Sequence, residues 1–211
     1  MINIGRLQFV RNVFNNMGNR EVSLEDIKKV LVSHEQLFGR NRKEIKTIEN
    51  SSAALDFITE AAIEGRELDI DFILDLHKVL LDGISNSCGK FRDMNVKNYA
   101  CGVYDCRKVE IQLNQFIKNY NKYAKKYSPI YLAAYVHLEM IRIRPFNDGN
   151  CRVATLLMNY ILMSNGLNSV TISDEHRDMY YYFTQLYTNR KTIQPMVDLI
   201  YLSLKGGVKH A

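Results

Sequence analysis

The run Arg144-Pro145-Phe146-Asn147-Asp148-Gly149-Asn150-Cys151-Arg152 gathers the residues best able to do chemistry in this chain. A carboxylate (Asp148), a turn of small residues and a guanidinium (Arg152) follow one another there. An apolar run from Ile130 to Ile143 leads into the stretch, and a second, Val153 to Met163, leaves it. Pro145 has no N–H and biases Arg144 away from the α region, so the first helix is predicted to stop there. Asn-Asp-Gly-Asn is turn chemistry, and Asn150 is a suitable N-cap for the helix that follows. Helix, tight turn, helix is the expected local structure. The second helix would point its first N–H groups, with Arg152 in its first turn, at whatever lies in front of the turn. That arrangement makes an anion site. A plain capped turn is the other reading of the same residues.

The elements that must position this turn are helical. Ile4, Leu7, Val10, Val13 and Phe14 form one apolar stripe over residues 3–16. Ser23 and Asp26 have the spacing of an N-terminal capping pair, and a short helix is predicted from there to about Phe38. A long helix follows from about Arg42 to Glu64, ended by Gly65, and another runs from about Asp69 to Leu81. From Ser85 to Val109 the helical period is lost. Helices are expected again from Glu110 to Lys126, from Pro129 into the turn, and out of the turn towards Gly166. Two more cover about 174–189 and 192–205. His137, seven residues before Arg144, shares its helix face and is expected to be a packed, hydrogen-bonded histidine.

Composition bounds the function. A chain of 211 residues, 46% apolar and 24% charged, suits one domain with a substantial core. No apolar run approaches a membrane span, and no membrane partner is expected. The first residues, Met-Ile-Asn-Ile-Gly-Arg, lack the features of a signal peptide, so a cytoplasmic protein is expected. A protein exported by a specialised secretion system would look the same. Cys88, Cys101, Cys106 and Cys151 form neither a disulfide ladder nor a Cys-x-x-Cys metal pair. The formal charge of +5 is modest, and the lysines at 122, 125 and 126 read as a solvated helix face rather than a nucleic-acid surface.

The residues of the turn also resemble a family signature. Fic-domain proteins carry His-Pro-Phe-x-(Asp/Glu)-Gly-Asn-Gly-Arg-x-x-Arg, matched here at Pro145, Phe146, Asp148, Gly149, Asn150 and Arg152. Arg144 stands where the family has its His, Cys151 where it has Gly, and Thr155 where it has the second Arg. Upstream, Gly89-Lys90-Phe91-Arg92-Asp93-Met94-Asn95-Val96 resembles the segment that precedes the Fic flap. The resemblance implies an all-α Fic-fold bundle with a small β-hairpin flap. It places N-terminal accessory helices at 1–40, a Fic-like domain at 41–205 with the flap at 96–109 and the motif at 144–152, and a tail at 206–211. Arg177 and Tyr180 fit the family's helix after the motif helix.

The family's chemistry supplies expectations for each position. In active Fic enzymes the His takes a proton from a hydroxyl of a target protein, whose oxygen attacks the α-phosphate of ATP. By resemblance Asp148 would hold Mg²⁺, and Gly149, Asn150, Cys151 and Arg152 would cradle the phosphates of ATP or another nucleotide. Lys97, Asn98, Tyr99, Ala100, Cys101 and Gly102 would hold the target protein by edge-strand pairing. Arg144 cannot act as the base, because a guanidinium has no acceptor nitrogen. A positioned general base is typically worth about 10²- to 10⁴-fold in rate. Cys151, at a helix N-terminus, could be a reactive thiol or a space-filling one. The family's inhibitory motif, (Ser/Thr)-x-x-x-Glu-(Gly/Asn), has no match, and Gly18 falls where its Glu would. The expected function is therefore a Fic-fold protein resembling protein adenylyltransferases, catalytically impaired and acting by binding nucleotide, phosphate or protein. The alternatives are an active nucleotidyl or phosphoryl transferase of altered chemistry, and an interaction module with no nucleotide.

Overall fold

Leu132 to Met140 are buried on every side. A helix buried all round has to sit at the centre of a bundle, and this one does. The computed structural model describes residues 4–15, 21–98, 102–172 and 174–207. Among them are nine α-helices: α1 (Ile4–Asn15), α2 (Leu24–Lys28), α3 (Arg42–Glu64), α4 (Ile70–Leu81), α5 (Val109–Tyr123), α6 (Pro129–Ile143), α7 (Asn150–Met163), α8 (Arg177–Arg190) and α9 (Gln194–Gly207). Two short strands, β1 (Val96–Asn98) and β2 (Gly102–Tyr104), pair antiparallel with Lys97 opposite Val103. The fold is all-α. Among the described residues no helix is long and apolar enough to cross a membrane.

Local chemistry sets most of the boundaries. Ser23 and Asp26 form a reciprocal capping box at α2, with Asp26 N–H on Ser23 Oγ at 3.1 Å and Ser23 N–H on the Asp26 carboxylate at 3.3 Å. Asn41 and Glu44 do the same at α3, at 2.9 and 2.8 Å. The second helix is shorter than the sequence suggests. It widens into a π-type turn over Lys29–Ser33 and stops at His34, whose φ is 54°. Its apolar stripe lapses there over His34-Glu35-Gln36. Likewise α5 ends at Tyr123, before the lysine-rich residues 124–126.

Two apolar clusters hold the helices. The larger lies between α3, α4, α6, α7 and α9, and the smaller gathers Leu7, Val10, Phe14, Ile27 and Ile48 beneath α1 and α2. Helix α1 serves both, because Phe9 and Val13 on its other flank enter the larger cluster against α3 and α7. The most extensive helix pair is α6 with α7, joined by residues 144–149. Two polar side chains buried on α6 reach partners on α8. Glu139 accepts from Arg142 at 2.7 and 2.9 Å and from the Tyr187 hydroxyl at 2.6 Å. His137 Nε2 shares a hydrogen bond with the Tyr180 hydroxyl at 3.0 Å, tying α6 to α8.

Because Phe9 is a buried wedge between α1 and the larger cluster, Phe9→Ala is expected to cost about 3–5 kcal/mol in denaturant unfolding, by lost transfer energy and the cavity left behind.

Candidate functional site

Three side chains from different parts of the chain fasten the 144–149 turn. The first is His77 of α4, fully buried, whose ring stacks on Phe146 with centroids 3.6 Å apart and planes 7° from parallel. Its Nδ1 accepts from the backbone N–H of Gly89 at 3.0 Å, so the ring proton is on Nε2. That Nε2–H donates to the Asp148 carbonyl at 3.2 Å. Burial pushes the imidazole down from 6.5 to about 4, and the nearby Arg152 charge acts in the same direction. A neutral ring is what both hydrogen bonds require.

The second is Arg92. Its backbone N–H donates to the Pro145 carbonyl at 2.8 Å and its Nε to the Arg144 carbonyl at 2.7 Å. Its Nη1 reaches the Met94 carbonyl at 3.0 Å and its Nη2 the Asp105 carbonyl at 3.5 Å. One buried guanidinium thus joins the turn to the residues on either side of β1 and β2. The third is Asn150, whose amide closes on the backbone of Phe146 in both directions: Oδ1 accepts from its N–H at 2.9 Å and Nδ2 donates to its carbonyl at 2.7 Å. Asn150 is consequently not the N-cap expected of it. That position is Gly149, with φ at 80°, a conformation that costs an L-residue roughly 1–2 kcal/mol.

The remaining side chains face a cleft of about 160 Å³ lined by Arg144, Asp148, Gly149, Asn150, Cys151 and Arg152. Arg152 lies in the first turn of α7, as expected, and is only 2% exposed. Its Nη2 donates to Asp148 Oδ2 at 3.0 Å, whereas Nη1 is buried with no hydrogen-bond partner among the described residues. Asp148 keeps its side chain 62% exposed, and Oδ1 accepts from the Gly149 N–H at 2.6 Å. Arg144 ends α6 in a left-handed conformation, φ 48°, with its N–H on the Met140 carbonyl at 3.0 Å and its Nε buried without a partner among the described residues. Burial raises the Cys151 thiol above its ordinary value, which removes the basis for an activated thiolate. Its backbone is not in the positive-φ region, so the thiol imposes no strain there. Thr155, one turn along α7, lines a separate cavity of about 40 Å³ with Phe9, Asn12, Val13, Arg177 and Tyr180. Lys97, Asn98 and Gly102 lie in the strand pair, while Tyr99, Ala100, Cys101 and Gly18 fall outside the described residues.

Residues 67–162, which contain α4, the strand pair, the turn and α7 up to Leu162, match the model of the Fic/DOC family. A solved structure of a Fic-1 fragment from C. elegans superposes with a TM-score of 0.87 at 26% identity, covering 99% of this chain and 63% of that one. The stretch from α4 to α7 is similar to the Fic/DOC family, and the chain shares the Fic fold. A Fic domain containing signaling protein from Bacteroides thetaiotaomicron shares the fold, with a TM-score of 0.84 at 23% identity over 94% of this chain and 82% of that one. The protein adenylyltransferase Fic of Drosophila persimilis is 26% identical over 198 residues, 91% of this chain but 38% of that protein. The chain thus spans well under half the length of this curated relative.

His77 was not singled out from the sequence. It lies 71 residues from Asp148, and nothing local distinguishes it from other polar residues on an amphipathic helix. Arg92 was visible only as part of a resembling segment, not as the clamp on the turn.

Two measurements test this account of the turn. His77 and His137 both stand near 4 in the folded chain, lowered by burial from 6.5. The unfolded chain therefore takes up protons first as pH falls, and stability is lost between about pH 6.5 and 4. Each histidine contributes on the order of 3 kcal/mol to that slope, so melting curves across this window should flatten in His77→Gln and again in His137→Gln. Separately, Arg92→Ala is expected to destabilise the chain by about 1.5–3 kcal/mol, the range for a charged hydrogen bond, and to lower proteolytic resistance first around residues 92–105.

Proposed function

We propose that this chain is a Fic-fold protein that binds a nucleotide or phosphate at the 144–152 turn and is impaired as an AMP transferase. One observation carries the reading: the side chain that α6 presents at the turn is a guanidinium, whose buried Nε has no acceptor among the described residues. Arg144 offers charge and N–H donors, but no lone pair to take a proton from an attacking hydroxyl. Its exchange for the family's His favours ground-state affinity for phosphate over rate. Cys151 and Thr155 depart from the family signature in the same direction, since one fills space and the other withholds a second cation.

A nucleotide's phosphates fit the residues present. Arg144 Nε and Arg152 Nη1 are buried N–H groups that lack acceptors among the described residues, and a shift of either side chain towards the cleft would bring them to phosphate oxygens. Magnesium fits less well. Both oxygens of Asp148 already accept hydrogen bonds, one from a guanidinium 3.0 Å away. A unit positive charge brought to about 4 Å from another is opposed by roughly 4 kcal/mol at an effective dielectric near 20. ATP and Mg²⁺ are what the adenylyltransferase relatives imply. The strand pair around Lys97, Asn98 and Gly102 is the proposed seat for an extended segment of a target protein.

With Mg-ATP, the chain is expected to label neither itself nor proteins of a lysate with AMP. Arg144→His should restore only a trace. Arg144→His, Cys151→Gly and Thr155→Arg combined should exceed the sum of the single changes, because the three act on one transition state. Transfer of labelled nucleotide is the measurement. Wild-type transfer at or above that of the triple variant would identify a working transferase of different chemistry.

A further inference from the structure

We infer that the groove between α5, α6 and the junction of α8 with α9 is a binding site for a small aromatic carboxylate, separate from the turn. The groove encloses about 420 Å³, within the range of roughly 300–1,000 Å³ usual for small-molecule sites. Among the described residues it shares no wall with the 144–152 cleft, so it does not depend on what that cleft binds.

Helix α6 sets the layout. Tyr131, Tyr135, Glu139 and Arg142 recur at intervals of four, four and three residues, so they form one stripe along the groove. The stripe changes character along its length. At the Tyr131 end the walls are aromatic: Tyr123 meets the Tyr135 ring edge-on with centroids 5.0 Å apart, and Phe116 lies 5.8 Å from the same ring. Such walls suit a flat aromatic guest better than a flexible aliphatic one.

The other end is charged. Glu139 is 6% exposed, and burial pushes its carboxyl up. The hydrogen bonds and charge of Arg142, with the Tyr187 hydroxyl, outweigh that and hold it below its ordinary value, so it is ionised. Lys191 Nζ stands 3.7 Å from the same carboxylate and 4.7 Å over the Tyr187 ring, which holds a second cation at the rim. Among the described lining residues, two cations against one carboxylate leave one unit of positive charge. That excess calls for a monoanion and repels an amine that the rings would otherwise attract. Tyr135 and Arg142 are seven residues apart, roughly 10 Å of helix rise. A ring joined to its carboxylate by a short chain spans the two ends.

The test follows indole-3-propionate binding to the full chain by amide chemical-shift titration. Tryptamine (same ring, opposite charge) and hexanoate (same charge, no ring) are titrated beside it. Indole-3-propionate should saturate with a Kd below about 1 mM, at least about fivefold tighter than either comparison. Its shifts should centre on α5, α6 and residues 187–193. Lys191→Asn removes the rim cation at a left-handed position, φ 57°, that Asn adopts readily, and should weaken the acid about fivefold or more. Tyr131→Leu should weaken it by a similar factor. Lys191 is exposed, so its variant should fold even if Tyr131→Leu does not, and circular dichroism checks both. Tryptamine binding as tightly as the acid would overturn the charge assignment, and hexanoate doing so would overturn the aromatic one. Unchanged affinity in Lys191→Asn, displacement by excess ATP, or no saturation at millimolar concentration would overturn the site altogether.

Discussion

A neutral, buried imidazole holds the working end of this fold together. His77 lies flat on Phe146, receives a proton donor from Gly89 and gives one to the carbonyl of Asp148. The stack fixes the height of the turn above α4, and the two hydrogen bonds fix its rotation. Charging the ring would turn an acceptor into a second donor facing the Gly89 N–H, which is why its depressed affinity for protons is a structural requirement. Everything built on the turn inherits its position from this contact: the left-handed Gly149, the start of α7 and the line of Arg152.

Electrostatics at the turn are one-sided by construction. Arg92 approaches from behind and spends its donors on backbone carbonyls, so it positions without offering anything to a ligand. Burial lowers its hold on its proton, and the Arg144 charge opposes it further. Arg144 and Arg152 approach from the cleft side and each keeps a donor in reserve. The carboxylate of Asp148 answers only part of that charge. This imbalance, rather than any single residue, is what separates the cleft from an ordinary capped turn.

The bundle was legible in the sequence because its information is local. The capping pair at Ser23, the proline at position 129 and the apolar run through α6 each declare themselves within a few residues. The α6–turn–α7 unit was legible for the same reason. What escaped was either long-range or a choice between two local bonds. His77 and the turn are brought together only by packing of α4 against α7. Asn150 could have capped its own helix, yet it serves better by satisfying both backbone groups of Phe146, which are buried away from water. The early stop at His34 reflects a stripe that lapses where the chain must turn back to bury Leu37.

The clamp on position 144 touches only the main chain. Arg92 binds its carbonyl and Met140 accepts from its amide, while the side chain projects into the cleft and makes no hydrogen bond through its Nε. The same division holds at Asp148, whose carbonyl is held by His77 and whose carboxylate is largely open to solvent. Selection on the fold and selection on the chemistry therefore act on different atoms of the same residues. The side chain at position 144 is free to drift through mutation without unfastening the turn, whereas the carboxylate of Asp148 also holds Gly149 and Arg152. A lineage that lost the need for one reaction could keep the scaffold intact and reuse the cleft for another ligand.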